Sequence, residues 1–302
     1  MDVRYRSSES RLSYICAGEE KGRMFRSGRE YRPSSRPFVS GDTFRKLARV
    51  VVEGLIWREN PLCQSEVLFA KPDIVQSKAF MIAVEIFVRR NAWEKPKLVI
   101  HNGDLLPHLA VFQRLSGIFS NIFAVNVVED DFPATAIPIG LENAWHRKNG
   151  AVSLFQEGNE SNRVGLESKR LIGASFREET NPRFRAPLKK LFEAAGHVFQ
   201  PPKLSPTDYT KWLKSHMFIL SPPGNGNDCH RTWEALYLGA IPIVLKTHLS
   251  QSLIDHSAIW GVDSFEEVLD FSGPELIAKY EQLIRKRSDV AYIKHWENEL
   301  IT

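Results

Sequence analysis

The apolar residues of this chain fall into short runs that alternate with amphipathic stretches and polar turns. Short apolar runs closed by polar, Gly or Pro residues predict buried strands at Val67–Ala70, Lys97–Ile100 and residues 217–220. Apolar residues at helical spacing predict amphipathic helices over residues 43–53 and 77–90. Because strands that alternate with helices pair in parallel, the predicted fold class is α/β.

The same alternation continues along the chain and is interrupted by one polar segment. Further elements are predicted as strands at residues 37–42, 121–128, 136–143, 169–177, 197–199, 241–245 and 260–262, and as helices at residues 184–195, 205–215, 249–259 and 275–287. Residues 146–168 show little periodicity, so they are predicted to link two domains, residues 37–145 and 169–287. Residues 1–36, rich in Arg and Ser, predict an N-terminal arm.

The stretch from Met217 to Leu245 reads as a strand, a loop, a helix and a second strand. Residues that tolerate positive φ form the loop, Asp228 stands where a helix N-cap is expected, and Gly239 provides a C-terminal stop. Ligands of parallel sheets bind beyond the carboxyl ends of the strands, at helix N-termini. The loop is therefore the predicted ligand site.

An anionic ligand is expected there because the free amides and the dipole of a helix N-terminus attract negative charge. Arg231 adds a planar cation suited to phosphate, and Glu234, on the same helix face, can accept from sugar or ribose hydroxyls. The alternative is that Arg231 and Glu234 only pair with each other on a solvated helix. The predicted donor-binding residues are Arg177, Ser221, Gly224, Asn225, Gly226, Asp228, His230, Arg231 and Glu234.

The sequence S-P-P-G-N-G-N-D-C-H-R-T-W-E-A-L-Y-L-G-A-I-P-I-V resembles the donor-nucleotide motif of exostosin-like glycosyltransferases, and the match covers about residues 218–260. The resemblance implies two Rossmann-like domains facing a central cleft, the GT-B type, and inverting transfer from a nucleotide sugar, with UDP the commoner nucleotide. It implies diphosphate contacts for Arg231 and for the loop from Gly224 to Gly226, and ribose or sugar contacts for Glu234. It also implies that residues 288–302 pack back on the first domain. The chain is short for this family, so a bacterial-style or soluble relative without anchor or stem is expected.

An inverting transferase needs a base that takes the proton of the acceptor hydroxyl. Polar residues that follow strands of the first domain face the predicted cleft. Asp104 is the first candidate for the base, followed by His101 and Asp42. The alternatives are that Asp104 stabilises a turn and that Asp42 caps a helix.

Two further sets of charged residues leave alternatives open. Arg177 is either a second diphosphate ligand or a solvated loop arginine. Glu129 and Asp131 either hold a divalent metal, as in a metal-dependent transferase, or form a solvated turn. Because the donor motif is explained without metal, no metal or other cofactor is expected.

Composition narrows the class of protein. The 302 residues are 43% hydrophobic and 25% charged, as in ordinary soluble proteins, and suffice for two domains. The net charge of +4 is smaller than the positive charge typical of nucleic-acid-binding proteins. The three cysteines are too few and too scattered for a disulfide scaffold. No run approaches the ~20 apolar residues of a membrane span. A cytoplasmic location with at most peripheral membrane contact is expected.

With the resemblance, these patterns predict an enzyme that transfers a sugar from a nucleotide sugar, a UDP-sugar first, to a glycan, polysaccharide or glycolipid acceptor. The first domain is expected to hold the acceptor and the second domain the donor. The alternatives are a non-catalytic nucleotide-sugar-binding protein and a metal-dependent transferase that uses Glu129 and Asp131.

Overall fold

A computed structural model describes residues 32–54, 57–60, 63–146, 150–156, 168–197, 199 and 204–301. The predicted N-terminal arm lies almost wholly outside the described residues, and so do residues 147–149 and 157–167 of the predicted linker. The strands are β1 (Val50–Val52), β2 (Trp57–Glu59), β3 (Val67–Ala70), β4 (Lys97–Ile100), β5 (Asn121–Ala124), β6 (Thr135–Ala136), β7 (Arg170–Gly173), β8 (His216–Leu220), β9 (Ile241–Leu245) and β10 (Trp260–Val262).

Helices connect these strands. They are α1 (Gly41–Arg45), α2 (Pro72–Val75), α3 (Lys78–Arg90), α4 (Leu109–Leu115), α5 (Ser153–Gln156), α6 (Pro182–Ala194), α7 (Pro206–Lys214), α8 (His230–Tyr237), α9 (Gln251–Asp255), α10 (Gly273–Leu283) and α11 (Ile293–Ile301). Short 3-10 turns lie at Glu178–Thr180, Glu266–Asp270 and Asp289–Ala291.

The strands form two separate sheets. The first has the order β2-β1-β3-β4-β5-β6, in which only β2 runs antiparallel to its neighbour. The second has the order β10-β9-β8-β7 and is parallel throughout. The predicted fold class, α/β with two Rossmann-like units facing a cleft, is confirmed. The carboxyl ends of β4, β5, β6 and β8 carry the loops described below.

Central strands such as β3 are apolar at every position because both faces of their sheets are covered. In β3, Val67 and Phe69 pack into the core that lies between the sheets, whereas Leu68 and Ala70 pack into the core on the other face. Successive residues of a strand point to opposite faces, so a strand covered on both sides must be apolar at every position. The same holds for β8, where Ile219 faces the shared core and Phe218 the outer one.

The start of the first domain differs from the sequence prediction. Residues 43–53 were expected to be one amphipathic helix, but the helix spans only Gly41–Arg45, and Val50–Val52 is a strand paired with β2 and β3. Consecutive valines restrict χ1 and favour a pleated, buried strand, which outweighs their match to helical spacing. The helix is capped by Ser40, whose hydroxyl accepts from the Thr43 amide at 3.2 Å, and not by Asp42.

The core between the sheets is continuous and joins the two halves of the chain. Its buried members include Phe38, Val67, Val99, Phe123, Ile219, Trp233, Tyr237, Val244 and Trp296. A large apolar interface of this kind favours one fixed arrangement of the two sheets over free domain motion.

The C-terminal helix α11 packs on the first domain. The Trp296 ring lies 6.1 Å from the Phe44 ring and 6.4 Å from the Phe123 ring, centroid to centroid. Its indole N–H donates to the Val290 carbonyl at 2.7 Å, and Lys97 Nζ donates to the Glu299 carbonyl at 2.9 Å. The chain end therefore closes the core that the first domain leaves open. In the part of the chain that the structure describes, no helix combines the length and apolar character needed to cross a bilayer.

Replacing Trp296 tests the contribution of this helix. We expect Trp296→Ala to lower the free energy of unfolding by about 3–5 kcal/mol, because it leaves a cavity in a close-packed core. The matched control on the same helix is Ile301→Ala, which removes a side chain that is 56% exposed and should change the free energy by less than about 0.5 kcal/mol. Urea unfolding followed by fluorescence and circular dichroism measures both, and equal effects of the two substitutions would contradict the prediction.

Candidate active site between the two sheets

A buried carboxylate joins the loop after β8 to the first domain. Asp228 Oδ2 accepts from the Ile139 amide at 2.8 Å, and its two oxygens accept from the Trp233 indole N–H at 2.8 and 3.0 Å. Oδ1 also accepts from the Cys229 amide at 2.7 Å. Burial raises the pKa of this carboxyl to about 6, against the opposing effect of these donors. The side chain is 6% exposed, so its oxygens are used within the protein.

This arrangement corrects the expected role of Asp228 as a helix cap. Helix α8 begins at His230, the N-cap position is occupied by Cys229, and no side chain caps the helix there. The Asp228 carboxylate reaches instead to Trp233, one turn into the helix, and across to Ile139 of the first domain. The amides at the start of α8 are thus left without a side-chain cap, which suits the N-terminus of a helix that meets a ligand.

Asn126, which the sequence analysis did not single out, holds the same loop from the other side. Its Oδ1 accepts from the Asp228 amide at 2.9 Å, and its Nδ2 donates to the Asp104 carbonyl at 2.9 Å. Asn126 has a φ of 65°, a left-handed conformation that Asn tolerates better than most residues. The only sequence signal was an Asn within the apolar run predicted as a strand at residues 121–128, of which β5 covers only Asn121–Ala124.

Gly224 and Gly226 lie where the loop backbone closely approaches other parts of the protein. A Cβ atom at Gly226 would lie 2.8 Å from the Asp104 carbonyl oxygen and 2.9 Å from Asn126 Oδ1. A Cβ atom at Gly224 would lie 3.0 Å from Arg185 Nη2. The requirement for glycine at 226 therefore arises from the contact between the two domains. Diphosphate contacts for this loop stay a prediction.

Arg185 of helix α6 fixes the first part of the loop. Its Nε donates to the Pro223 carbonyl at 2.8 Å and its Nη2 to the Pro222 carbonyl at 2.9 Å. Its Nη1 donates to the Arg177 carbonyl at 3.0 Å and to the Thr180 hydroxyl. Only 4% of Arg185 is exposed. Nη2 also donates to Cys229 Sγ at 3.7 Å, so all five N–H groups of this guanidinium are engaged within the protein. Arg185 therefore positions the loop and has no donor left for a ligand.

Arg231 lies beside Arg185, but not all of its N–H groups have hydrogen-bond acceptors. Its Nε and Nη1 are buried and have no hydrogen-bond partner among the described residues. The guanidinium carbon atoms of Arg231 and Arg185 lie 6.0 and 5.6 Å from the centre of the Phe176 ring, so both cations flank one aromatic side chain. Burial, and then the charge of Arg231, lower the pKa of the Arg185 guanidinium. Within the described part of the chain, neither arginine forms a salt bridge.

Glu234 is buried next to Arg231. Its Oε2 accepts from the Tyr209 hydroxyl at 3.0 Å, and 8% of the residue is exposed. Burial raises the pKa of the Glu234 carboxyl, while His230, the Tyr209 hydrogen bond and Arg231 lower it. Burial and the Glu234 charge raise the pKa of Tyr209. Arg231 and Glu234 thus do not pair on a solvated helix face, and a salt bridge between them is absent from the described contacts.

The other predicted donor-binding residues lie around this loop. Ser221 is buried, and its hydroxyl is 2.8 Å from the Thr232 hydroxyl. Asn225 and Arg177 are exposed at the loop and at the end of β7. His230 is half-buried, with Nδ1 2.8 Å from the Gly140 carbonyl oxygen. Their contacts with a donor stay predictions.

The three candidates for the catalytic base lie at the carboxyl ends of the first sheet. His101 is 2% exposed and has both ring nitrogens engaged, Nδ1 by the Asn102 amide at 2.7 Å and Nε2 by the Pro138 carbonyl at 3.3 Å. Burial lowers the pKa of His101 to about 3. Asp42 is fully buried and accepts from Arg32 at 3.2 Å, whereas the side chain of Asp104 is exposed. Asp104 is the most accessible of the three.

Asp104 and His101 line an open cavity of about 350 Å³ at the cleft, together with residues of the loop after β6 and His230 of α8. Asp42 does not line it. Among the described residues, no group of three or more His, Cys, Asp or Glu side chains lies close enough to hold a metal ion. Glu129 lines a different cavity, of about 400 Å³, beside β5 and β6.

No family model matches the chain, and no curated protein matches it. Solved structures match it at low similarity. An alpha,alpha-trehalose-phosphate synthase (UDP-forming) from Burkholderia xenovorans is 10% identical, with 78% of this chain and 73% of that chain covered and a TM-score of 0.38. A putative UDP-N-acetylglucosamine 2-epimerase from Listeria monocytogenes is 12% identical, with 74% and 69% covered and a TM-score of 0.37.

An alpha-glucosyltransferase in complex with UDP-glucose and DNA is also 12% identical, with 78% of this chain and 80% of that chain covered and a TM-score of 0.35. Values this low carry no conclusion about what the present chain binds or catalyses. The resemblance to exostosin-like transferases accordingly stays an expectation from the motif at residues 221–244.

The junction at Asp228 can be tested by an isosteric change. We expect Asp228→Asn to lower the free energy of unfolding by about 1–3 kcal/mol, because the amide group turns an NH₂ toward a buried N–H donor. Asp131→Asn, at an exposed site, is the control and should have little effect. Chemical denaturation at neutral pH measures both, and an unchanged midpoint for Asp228→Asn would contradict the role given to its carboxylate.

The buried imidazole of His101 predicts a pH dependence of stability. Its pKa is about 3 in the fold and 6.5 when unfolded, so the unfolded chain binds a proton first as the pH falls. This group therefore stabilises the fold fully above pH 6.5 and loses that contribution as the pH falls toward 3. Between pH 6 and 4.5, the wild type should lose up to about 1.4 kcal/mol more per pH unit than His101→Asn.

The measurement is the free energy of unfolding of both proteins across this pH range. The difference between the two slopes cancels the titration of all other groups that the substitution leaves unchanged. Parallel slopes would show that His101 is not held neutral in the fold.

Proposed function

We propose that the protein is a glycosyltransferase that binds the diphosphate of a nucleotide sugar at Arg231 and transfers the sugar to a glycan, polysaccharide or glycolipid acceptor. The observation that carries the proposal is that the guanidinium of Arg231, in the first turn of α8, is only partly satisfied: Nε and Nη1 are buried and unpartnered among the described residues. A buried donor without an acceptor costs about 1–3 kcal/mol, and more for a charged group. An anionic ligand that accepts from Arg231 would remove this cost.

The surroundings of Arg231 select for a strongly negative ligand. Arg185 is close enough for the two guanidinium groups to repel each other. Neither forms a salt bridge in the described part of the chain, although the Glu234 carboxylate attracts Arg231 electrostatically. The N-terminus of α8 adds the positive end of a helix dipole and amides without a side-chain cap. A diphosphate meets these conditions better than a single carboxylate, since it offers more acceptor atoms and charge to a planar cation.

The same groups would act in the reaction. When the bond between the sugar and the diphosphate breaks, negative charge collects on the leaving phosphate oxygen, and Arg231 and the helix N-terminus stabilise it. Glu234, held by Tyr209, is proposed to accept from the ribose or the sugar at the edge of this site. We expect UDP as the nucleotide, inversion at the anomeric carbon and no need for a metal ion.

Titration with nucleotides tests the donor site. UDP, GDP, CMP and the corresponding nucleotide sugars should be compared by calorimetry and thermal shift, with and without a chelator. Arg231→Ala should weaken binding of the preferred nucleotide by about 1.5–3 kcal/mol, or roughly 10- to 100-fold in Kd, because a hydrogen bond to a charged group is lost. Arg183→Ala removes an exposed charge from the neighbouring helix α6 and serves as the control for net charge.

The outcomes separate the candidate functions. Binding that depends on Arg231 and survives the chelator supports the proposal, and binding lost in Arg177→Ala as well adds that residue to the donor site. Binding that survives Arg231→Ala but needs metal contradicts it and directs attention to Glu129 and Asp131. Nucleotide-sugar binding without hydrolysis or transfer indicates a binding protein.

A further inference from the structure

The cavity of about 350 Å³ at the carboxyl end of the first sheet has a chemistry distinct from the arginine site. Two carboxylates, Asp104 and Glu142, and two amides, Asn102 and Asn143, line it together with His230. Asn102 Nδ2 is buried without a hydrogen-bond partner in the described part, while Asn102 Oδ1 accepts from Asn143 at 2.9 Å. Carboxylates and amides accept from and donate to hydroxyl groups, so the lining suits a sugar.

The hydrogen bond of His230 Nδ1 determines which ring nitrogen can act as a base. Nδ1 lies 2.8 Å from the Gly140 carbonyl oxygen, which can only accept, so Nδ1 carries the proton. In the neutral ring, Nε2 then holds a free electron pair. Nε2 has no hydrogen-bond partner among the described residues and is not one of the buried unpartnered atoms, so it reaches the cavity. His101, which lines the same cavity, has both nitrogens engaged.

The first turn of α8 places this imidazole and the donor cation side by side. His230 and Arg231 are consecutive, so their side chains leave the helix about 100° apart. His230 faces the cavity and Gly140, whereas Arg231 faces Phe176 in the second domain. One turn of helix thus lies between the two halves of the cleft.

We propose that the cavity binds the acceptor sugar and that His230 Nε2 is the catalytic base of the transfer, an inference that rests on the proposed function. The acceptor hydroxyl oxygen attacks the anomeric carbon and forms the new C–O bond. The bond from that carbon to the diphosphate oxygen breaks, and its electron pair leaves with the nucleotide diphosphate. The hydroxyl proton passes to Nε2 and afterwards to water.

Charged and titratable groups approach His230 from several elements. The carboxylates of Asp228, in the loop, and Glu234, on α8, attract a positive charge on this ring, whereas His101, at the end of β4, repels one. The other titratable and charged groups that line the cavity are Arg32, Lys71, Asp104, Glu142 and His146. A base of this kind makes the rate fall at acidic pH, where protonation removes the free electron pair.

The experiment compares His230→Gln, His230→Ala and Asp104→Asn with the wild type. UDP-glucose, UDP-galactose, UDP-N-acetylglucosamine and UDP-glucuronic acid serve as donors, methyl glycosides of the same sugars serve as acceptors, and released UDP is measured. At saturating donor, His230→Gln should lower kcat by about 10²–10⁴-fold and abolish the acidic limb of the pH profile. Added imidazole should restore part of the activity of His230→Ala, which a merely structural role would not allow.

The matched control is His256→Gln. His256 is exposed, its Nδ1 lies 2.8 Å from the Ser252 carbonyl oxygen, and it does not line the cavity. It therefore repeats the local geometry of His230 away from the cleft, and its substitution should leave turnover and donor binding unchanged.

Each outcome decides between the inferences. A kcat within about threefold of the wild type for His230→Gln, or an acidic limb lost only in Asp104→Asn, overturns the role of His230 and leaves the donor site intact. A wild type that binds no nucleotide fails in the donor titration, and one that binds nucleotide sugars without any turnover is a binding protein. Either result contradicts the proposed function and, with it, the role of His230.

Discussion

The hydrogen bonds of one buried carboxylate hold the site together. Asp228 sits where the loop after β8 meets the first domain, and it connects the Ile139 amide with the Trp233 indole. A carboxylate out of water must have its lone pairs occupied, so the loop and both domains can satisfy it only in one relative position. That position determines where α8 starts, and therefore where His230 and Arg231 lie.

The apolar core between the sheets supports this arrangement. Trp233 is fully buried in it while its N–H reaches Asp228, so one side chain serves both the packing and the polar junction. Because the core is continuous across both sheets, it favours one fixed arrangement of the elements that carry the cleft residues. Sites held in this way lose little entropy when a ligand binds, since the groups are already in place.

Two neighbouring arginines, Arg185 and Arg231, differ in how far the protein satisfies their guanidinium groups. Arg185 donates to the backbone carbonyls of Pro222 and Pro223, and its burial is compensated by those bonds. Arg231, a short distance away, interacts with Tyr209 and Glu234, but its Nε and Nη1 are buried without a hydrogen-bond partner among the described residues. Unsatisfied polar groups are rare in folded proteins and concentrate where a ligand completes them. The contrast marks Arg231 as the residue that is kept available.

Sequence alone determined the α/β class and most of the strands, because strands buried on both faces need uninterrupted apolar runs and short polar ends. It also located the loop and helix at residues 221–237, since glycines, a strand end and a helix start leave local signals. The run Val50–Val52 was misjudged as helix, because a spacing of apolar residues fits helix and strand alike until a neighbouring strand is known.

Only the tertiary structure decided which polar side chains have their hydrogen-bonding groups occupied within the protein and which keep them available for a ligand. Asn126, Arg185 and Tyr209 each have a partner that lies 25 or more residues away in the chain, up to the 102 residues between Asn126 and Asp228, a distance over which no local pattern carries information. Both ring nitrogens of His101 have hydrogen-bond partners. In His230 only Nδ1 has one, the Gly140 carbonyl 90 residues away in the chain, and Nε2 is left without a partner among the described residues. The sequence determined the local elements because their causes are local, and the fold decided the chemistry because desolvation and hydrogen-bond partners come from elsewhere in the chain.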